Sequence, residues 1–217
     1  LVNRSGGRWQ GLAICADDFG MSESIDAAIL HLARMGRISG VGCVVQGQTW
    51  LAGARQLRNL DLDVGLHLNF TEPLGGWGPV YPLRELLFRA YAGLLDRAAG
   101  DASIELQLDH FESVLGRRPD YVDGHQHVHQ LPVIREALLA ALRRRYGGPP
   151  WVRCTVRRGA GSVWRSRDER KAWVIEALGG RAFARAADNA GVARNERLLG
   201  VYGFEASAPG YERRMRN

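Results

Sequence analysis

Three cysteines among 217 residues, at positions 15, 43 and 154, are too few and too dispersed for a disulfide framework or a thiolate zinc site. Each lies in an apolar stretch and reads as a core thiol. No apolar run approaches the roughly 18 residues that a membrane span requires, and residues 1–10 lack the apolar centre of a secretory signal. A cytoplasmic location without a membrane span is therefore expected. Internal repeats and low-complexity tracts are also missing, which sets aside solenoids and disordered chains. The net charge of +6 is carried mostly by arginines on helix faces and in loops such as 143–145, with no aromatic-rich basic motif beside them. That pattern reads as a solvated surface and argues against nucleic acid as a partner. A hydrophobic fraction of 46% and a charged fraction of 24% are ordinary for a globular chain. One domain, residues 1–217, is expected.

Short apolar runs of strand length alternate with segments of helical period. Residues 11–16 read as a strand ending in Asp17, Asp18, Phe19 and Gly20. A helix then carries Ile25, Ala28, Ile29 and Leu32 on one face, with Ser22 as its cap and Gly36 as its stop. Strands are expected at 40–45, 63–70, 151–156 and 198–204. Helices are expected at 50–59, 83–95, 102–115, from Pro132 to Arg145, at 169–178 and at 182–190. The loop 71–82, with its glycines and prolines around Trp77, suits a cleft wall or lid. This alternation predicts an α/β fold built on a parallel sheet, in layers or as a barrel.

Half of the six histidines fall in the stretch 121–131, where His125, His127 and His129 alternate behind Asp123 and Gly124. If the stretch is extended, all three imidazoles point to one side. Imidazole is the commonest protein ligand for zinc-like metals. His67 sits near the end of another strand-like run, opposite Val64, Leu66 and Leu68, and the paired aspartates end the first. In α/β proteins active sites gather at the carboxyl ends of strands. One carboxylate with two imidazoles leaves coordination positions open, as catalytic metal sites do. The second aspartate is then free to take a proton from a metal-bound water. Arg153 and Arg157 flank the end of a later strand and are candidates for an anionic or hydroxyl-rich substrate group, or for surface ion pairs.

The turn from Ala16 to Gly20, the run Gly65-Leu66-His67-Leu68 and the run from Asp123 to His129 together resemble the YdjC-like carbohydrate deacetylases, which include chito-oligosaccharide and hopanoid-associated members. The resemblance runs in order over roughly residues 12–204. It implies a distorted (β/α) TIM-like barrel, a divalent metal, and hydrolysis of the acetamido group of a small acetylated sugar or oligosaccharide. Carried over residue by residue, it makes Asp18, His67 and His125 the metal ligands and Asp17 the general base. It places His127 near the substrate or behind the ligands. The assignment of base and ligand between Asp17 and Asp18 stays open at this level. Phe19 and Trp77 are candidates either for a sugar-stacking surface or for the core, and Arg153 for a substrate contact. Magnesium is the metal the resemblance implies, whereas imidazole-rich ligation favours zinc or another transition metal.

One departure concerns the C-terminal part. Family members usually carry a Cys-His-Pro-like segment there whose histidine looks like the general acid, and this sequence has no histidine after His129. The chain begins at Leu1 without methionine and stops at Asn217 inside the helix-like stretch 211–216, so both extreme termini are expected to lie beyond it. Two rival readings are an amidohydrolase-type hydrolase acting on another amide, whose His-x-His pair belongs on the first strand, and a non-catalytic sugar-binding relic. A homodimer is left open.

Overall fold

Alternation along three glycine-containing strands sets the layout: one face carries Val41, Cys43, Val64, Leu66, Leu68 and Val122, all fully buried, and the other carries glycines and polar groups. The computed structural model describes residues 11–75, 78–157 and 167–199. In chain order these are β1 (Cys15–Phe19), α1 (Glu23–Arg34), β2 (Gly40–Cys43), α2 (Trp50–Leu57), β3 (Asp63–Leu68), α3 (Leu83–Tyr91), α4 (Arg97–Leu115), β4 (Tyr121–Gly124), a 3₁₀ turn (His125–Gln130), α5 (Ile134–Arg145), β5 (Trp151–Val152), α6 (Arg167–Ile175), a π-type turn (Glu176–Gly180) and α7 (Arg181–Asn189). The strands form one parallel five-stranded sheet in the order β1-β2-β3-β4-β5. Each parallel step needs a crossover, and helices supply them. Beyond β5 the sheet continues as a single parallel bridge from Val152 to Arg194.

The apolar faces of the helices cover the apolar face of the sheet. Ile104, Leu108, Phe111 and Leu115 of α4 are buried, as their spacing predicts, and the Phe111 ring stacks on Trp50 of α2 at 5.9 Å. In α1 the Ser22 hydroxyl accepts the Ile25 N–H. Its buried face is Asp26, Ile29 and Leu30, while Leu32 is 39% exposed, so the face is turned relative to the sequence expectation. The cause is Asp26, whose buried carboxylate accepts the Gly20 N–H at 2.7 Å and fixes the turn after β1.

Two expected strands are corrected. The first does not end at the aspartates: β1 runs through them, and a bulge lies between Ala16 and Phe19, which pair with Val41 and Cys43. The histidine stretch is not a strand. β4 ends at Gly124, and Gln126 and His127 take left-handed backbone at φ 53° and 61°. The sequence 125–130 alternates histidine with other side chains but has a single apolar residue, Val128, so no buried face forces it to stay extended. Of the last expected strand, 198–204, residues 200–204 lie outside the described residues, and Leu198 and Leu199 are in no regular element. No helix among the described residues is long and apolar enough to cross a membrane.

Candidate metal centre

On the non-helical face of the sheet, β2 and β3 contribute glycines where their neighbours contribute large polar groups. A Cβ on Gly42 would stand 2.8 Å from Asp17 Oδ1, and one on Gly65 would stand 2.5 Å from the Tyr121 ring. The missing side chains make room for Asp17, His67 and Tyr121 over the sheet.

The bulge in β1 aims both aspartates into that space. Neighbours in a regular strand face opposite ways, but Asp18 sits at φ 71°, which re-aims its side chain without losing Asp17 from the inner face. Aspartate tolerates this left-handed backbone better than most residues. Asp18 Oδ1 lies 2.8 Å from His125 Nδ1 and 3.4 Å from His67 Nε2. The two rings are edge to face at 5.7 Å. His67 Nδ1–H donates to Asp123 Oδ1 at 2.6 Å, across a register in which His67 and Asp123 are partners on β3 and β4. Arg153, 8% exposed, follows β5; its guanidinium donates to Asp17 Oδ2 at 2.7 Å and also pairs with Asp123. Asp17 Oδ1 is buried and has no hydrogen-bond partner among the described residues.

Burial alone would raise the pKa of both aspartates. For Asp18 the hydrogen bonds from His125 and His67 outweigh it and hold the carboxyl well below its usual range. For Asp17 the Arg153 guanidinium, with His67, outweighs burial and lowers the pKa. Both are carboxylates at neutral pH. Burial, with His67 nearby, pushes His127 down to about 4, so this half-buried imidazole is neutral.

Asp18, His67 and His125 each offer a ligand atom within 4.8 Å of the others. One carboxylate and two imidazoles suit a divalent transition metal with open positions. Asp17, His67 and Asp123 are equally close. That set is a poor cation site, because Arg153 already neutralises both carboxylates and would stand beside the ion. In the favoured set, Asp123 bonds the outer nitrogen of His67, the arrangement that orients imidazole ligands in metal proteins. The residues therefore fit a metal.

Among the sequence candidates, Asp17, Asp18, His67 and His125 come together here. His129 does not join them: it is fully buried, its Nε2–H donates to the Arg153 carbonyl at 2.7 Å, and burial pushes it down to about 3. Phe19 is corrected as a sugar-stacking residue. It is fully buried, with its ring against Gly53 of α2, because the bulge returns the strand to alternation after Asp18 and sends Phe19 to the helical side. Arg153 is corrected as a substrate contact, since its guanidinium is buried between Asp17 and Asp123. Arg157 holds the buried Glu176 at 2.8 Å. Trp77 lies outside the described residues. Asp123 was assigned no role from sequence, although a carboxylate inside a buried strand two residues before a histidine was a signal.

The parallel sheet and the strand-end cluster define an α/β protein with an Asp/His₂ group that could hold a metal ion. The profile of the YdjC-like protein family matches residues 11–217, and the chain belongs to that family. It is 34% identical over 190 residues to the human carbohydrate deacetylase, covering 74% of this chain and 57% of that protein. It is 33% identical over 168 residues to the mouse carbohydrate deacetylase, covering 70% and 52%. Against a chitooligosaccharide deacetylase of Enterobacter sp. (strain 638) the identity is 29%, over 57% of this chain and 52% of the relative. The chain thus spans about half the length of the curated relatives it matches. In fold it is similar to the crystal structure of a putative cellobiose-phosphate cleavage protein from Enterococcus faecalis V583, with TM-score 0.55 and 18% identity over 94% of this chain and 74% of that one.

Proposed function

We propose that the chain is a metal-dependent carbohydrate N-deacetylase, with Asp18, His67 and His125 as ligands, Asp17 as general base and a small acetylated sugar or oligosaccharide as substrate. The observation that carries the reading is the convergence of Asp18, His67 and His125, with an ionised Asp17 beside them that keeps one oxygen free of any partner among the described residues. The names of the matched relatives support the substrate class.

A divalent cation in this set supplies positive charge that polarises an acetyl carbonyl and acidifies water, a role for which zinc, cobalt or nickel suits the imidazoles better than magnesium. Asp17 Oδ1 accepts the proton of the attacking water, while Oδ2 stays bonded to Arg153. Arg153 keeps Asp17 ionised and fixes its rotamer, at the cost of a weaker base. Asp123 holds the His67 ring with Nε2 turned toward Asp18. Neutral His127, close enough to His67 and Asp17 to feel their charges, is the candidate for a substrate contact beside this group. The consecutive parallel strands and the bridge beyond β5 support one distorted (β/α) barrel domain as the frame.

Acetate release from diacetylchitobiose and other N-acetylated sugars, by metal-reconstituted protein with and without chelator, tests the reading. Chelator-sensitive release is expected. Metal-loaded protein that releases no acetate from any of them would overturn it.

A further inference from the structure

Five side chains make one chain of successive contacts through the centre: Asp123, His67, Asp18, His125 and Glu72. His67 has Nδ1 on Asp123 and Nε2 toward Asp18. His125 repeats the arrangement with its nitrogens exchanged, Nδ1 toward Asp18 at 2.8 Å and Nε2 toward Glu72 Oε1 at 3.7 Å. Glu72 does not belong to the converging set, and its carboxylate stands on the outer side of His125.

The backbone that presents Glu72 is built with unusual care for a loop. Asn69, 1% exposed, closes the turn after β3: its Oδ1 accepts the N–H groups of Thr71 at 3.0 Å and Glu72 at 2.9 Å. Its Nδ2 donates to the Glu72 carbonyl at 2.8 Å and to Gln46 Oε1 at 2.7 Å, which uses the full capacity of the amide. Gln107 of α4, also 1% exposed, accepts the Asn69 N–H at 2.9 Å and donates to the Asn69 carbonyl at 3.1 Å. Buried amides cost free energy unless every group is paired, and a network that is fully paired rigidifies what it holds. Here it holds both backbone groups of Glu72.

We propose that Glu72 is the positioning residue for His125, as Asp123 is for His67: its carboxylate accepts the Nε2 proton of His125 and thereby keeps the Nδ1 lone pair directed at the metal. The inference rests on the metal-centre reading above. A separation of 3.7 Å is long for a hydrogen bond, but the Glu72 side chain is 37% exposed and has room to adjust. Such bonds commonly tighten only when the site is filled.

Two measurements on the full chain test this. In the first, cobalt affinity is measured by competition with a chromophoric chelator for the wild type, Glu72→Ala, Glu72→Gln and His125→Ala. Loss of an outer partner of a ligand typically costs about 10- to 100-fold in affinity, and that loss is expected for Glu72→Ala. Glu72→Gln, whose amide oxygen can still accept the proton, is expected to recover most of it. In the second, ¹H–¹⁵N NMR of the zinc-loaded protein reports the His125 Nε2 proton, whose nitrogen faces Glu72. A downfield, slowly exchanging Nε2 proton is expected in the wild type, and faster exchange with an upfield shift in Glu72→Ala. Cobalt affinity of Glu72→Ala within twofold of wild type, or a His125 Nε2 proton unchanged in shift and exchange, would overturn the proposal. If the wild type binds neither cobalt nor zinc better than His125→Ala, the metal centre itself fails and the proposal falls with it, whereas intact metal binding with an unchanged Nε2 proton overturns the proposal alone.

Discussion

Arg145 and Arg153 each gather several carboxylates, and the two clusters differ in what they leave unfilled. Arg145 ends α5 and donates to Glu105, to Asp109 at 2.6 Å and to Glu112 at 2.9 Å, while Tyr146 also donates to Glu112. Burial would lower the Arg145 pKa, but those three carboxylates outweigh it and raise it. The cluster ties α4 to α5 near the surface, where Asp109 is 62% exposed. Arg153 instead joins Asp17 to Asp123 on the inner face of the sheet and leaves Asp17 Oδ1 without a hydrogen-bond partner among the described residues. The first cluster uses up its charges and serves the joint between two helices. The second holds carboxylates in place while keeping acceptor capacity open, which is what a reaction centre requires.

The sharpest way to separate the two is to cut the ligands of the inner cluster. His67→Ala or His125→Ala is expected to lower acetate release by more than about 100-fold, beyond the usual loss from an outer partner, whereas Arg145→Met should leave it within about twofold, as surface substitutions usually do. Comparable loss in all three variants would erase the distinction. Stability should order them the other way. Arg153→Met strands two buried carboxylates and is expected to cost about 3–5 kcal/mol in urea denaturation, against about 1 kcal/mol or less for the exposed Asp109 pair lost in Arg145→Met and a smaller total than for Arg153→Met, since Glu105 and Glu112 keep access to water. Equal midpoints would contradict the burial argument.

Gly42→Ala is the next smaller probe. The added Cβ meets Asp17 Oδ1 at 2.8 Å, so a destabilisation of about 1–3 kcal/mol is expected together with reduced turnover at unchanged fold. Wild-type turnover would mean that Asp17 has no fixed position. The smallest effect concerns pH. Because the folded pKa of Asp17 is depressed, its stabilising contribution is present above the unfolded value of about 3.9 and is lost as pH falls through the lower folded value. Removing the guanidinium in Arg153→Met should raise that pKa, because the charge that favours the carboxylate is lost, moving the acid limb of kcat/KM upward. An unmoved limb would detach Asp17 from the proton transfer.

The α/β class, the helices with clean 3.6-residue period and the strand carrying His67 were all legible in sequence, because Val64, Leu66 and Leu68 alternate with residues that must face elsewhere. That Asp17, Asp18, His67 and His125 would gather was legible too, because packing gives no account of them. What failed depended on backbone conformation that side-chain pattern does not encode. The Asp18 bulge sent Phe19 to the core, and the turn at Gln126 and His127 separated three histidines that alternate in sequence. The outer partners, Asp123 and Glu72, were hidden because their roles exist only once β3, β4 and the turn after Leu68 lie side by side.

The most direct test of the central claim is titration of the metal-free chain with cobalt, followed by its visible absorption. One equivalent bound with a nitrogen- and oxygen-ligand spectrum is expected in the wild type and in Arg145→Met, and is expected to vanish in His67→Ala and in His125→Ala. Identical spectra and stoichiometry in all four proteins, or no binding in the wild type, would contradict the assignment of Asp18, His67 and His125 as the metal centre.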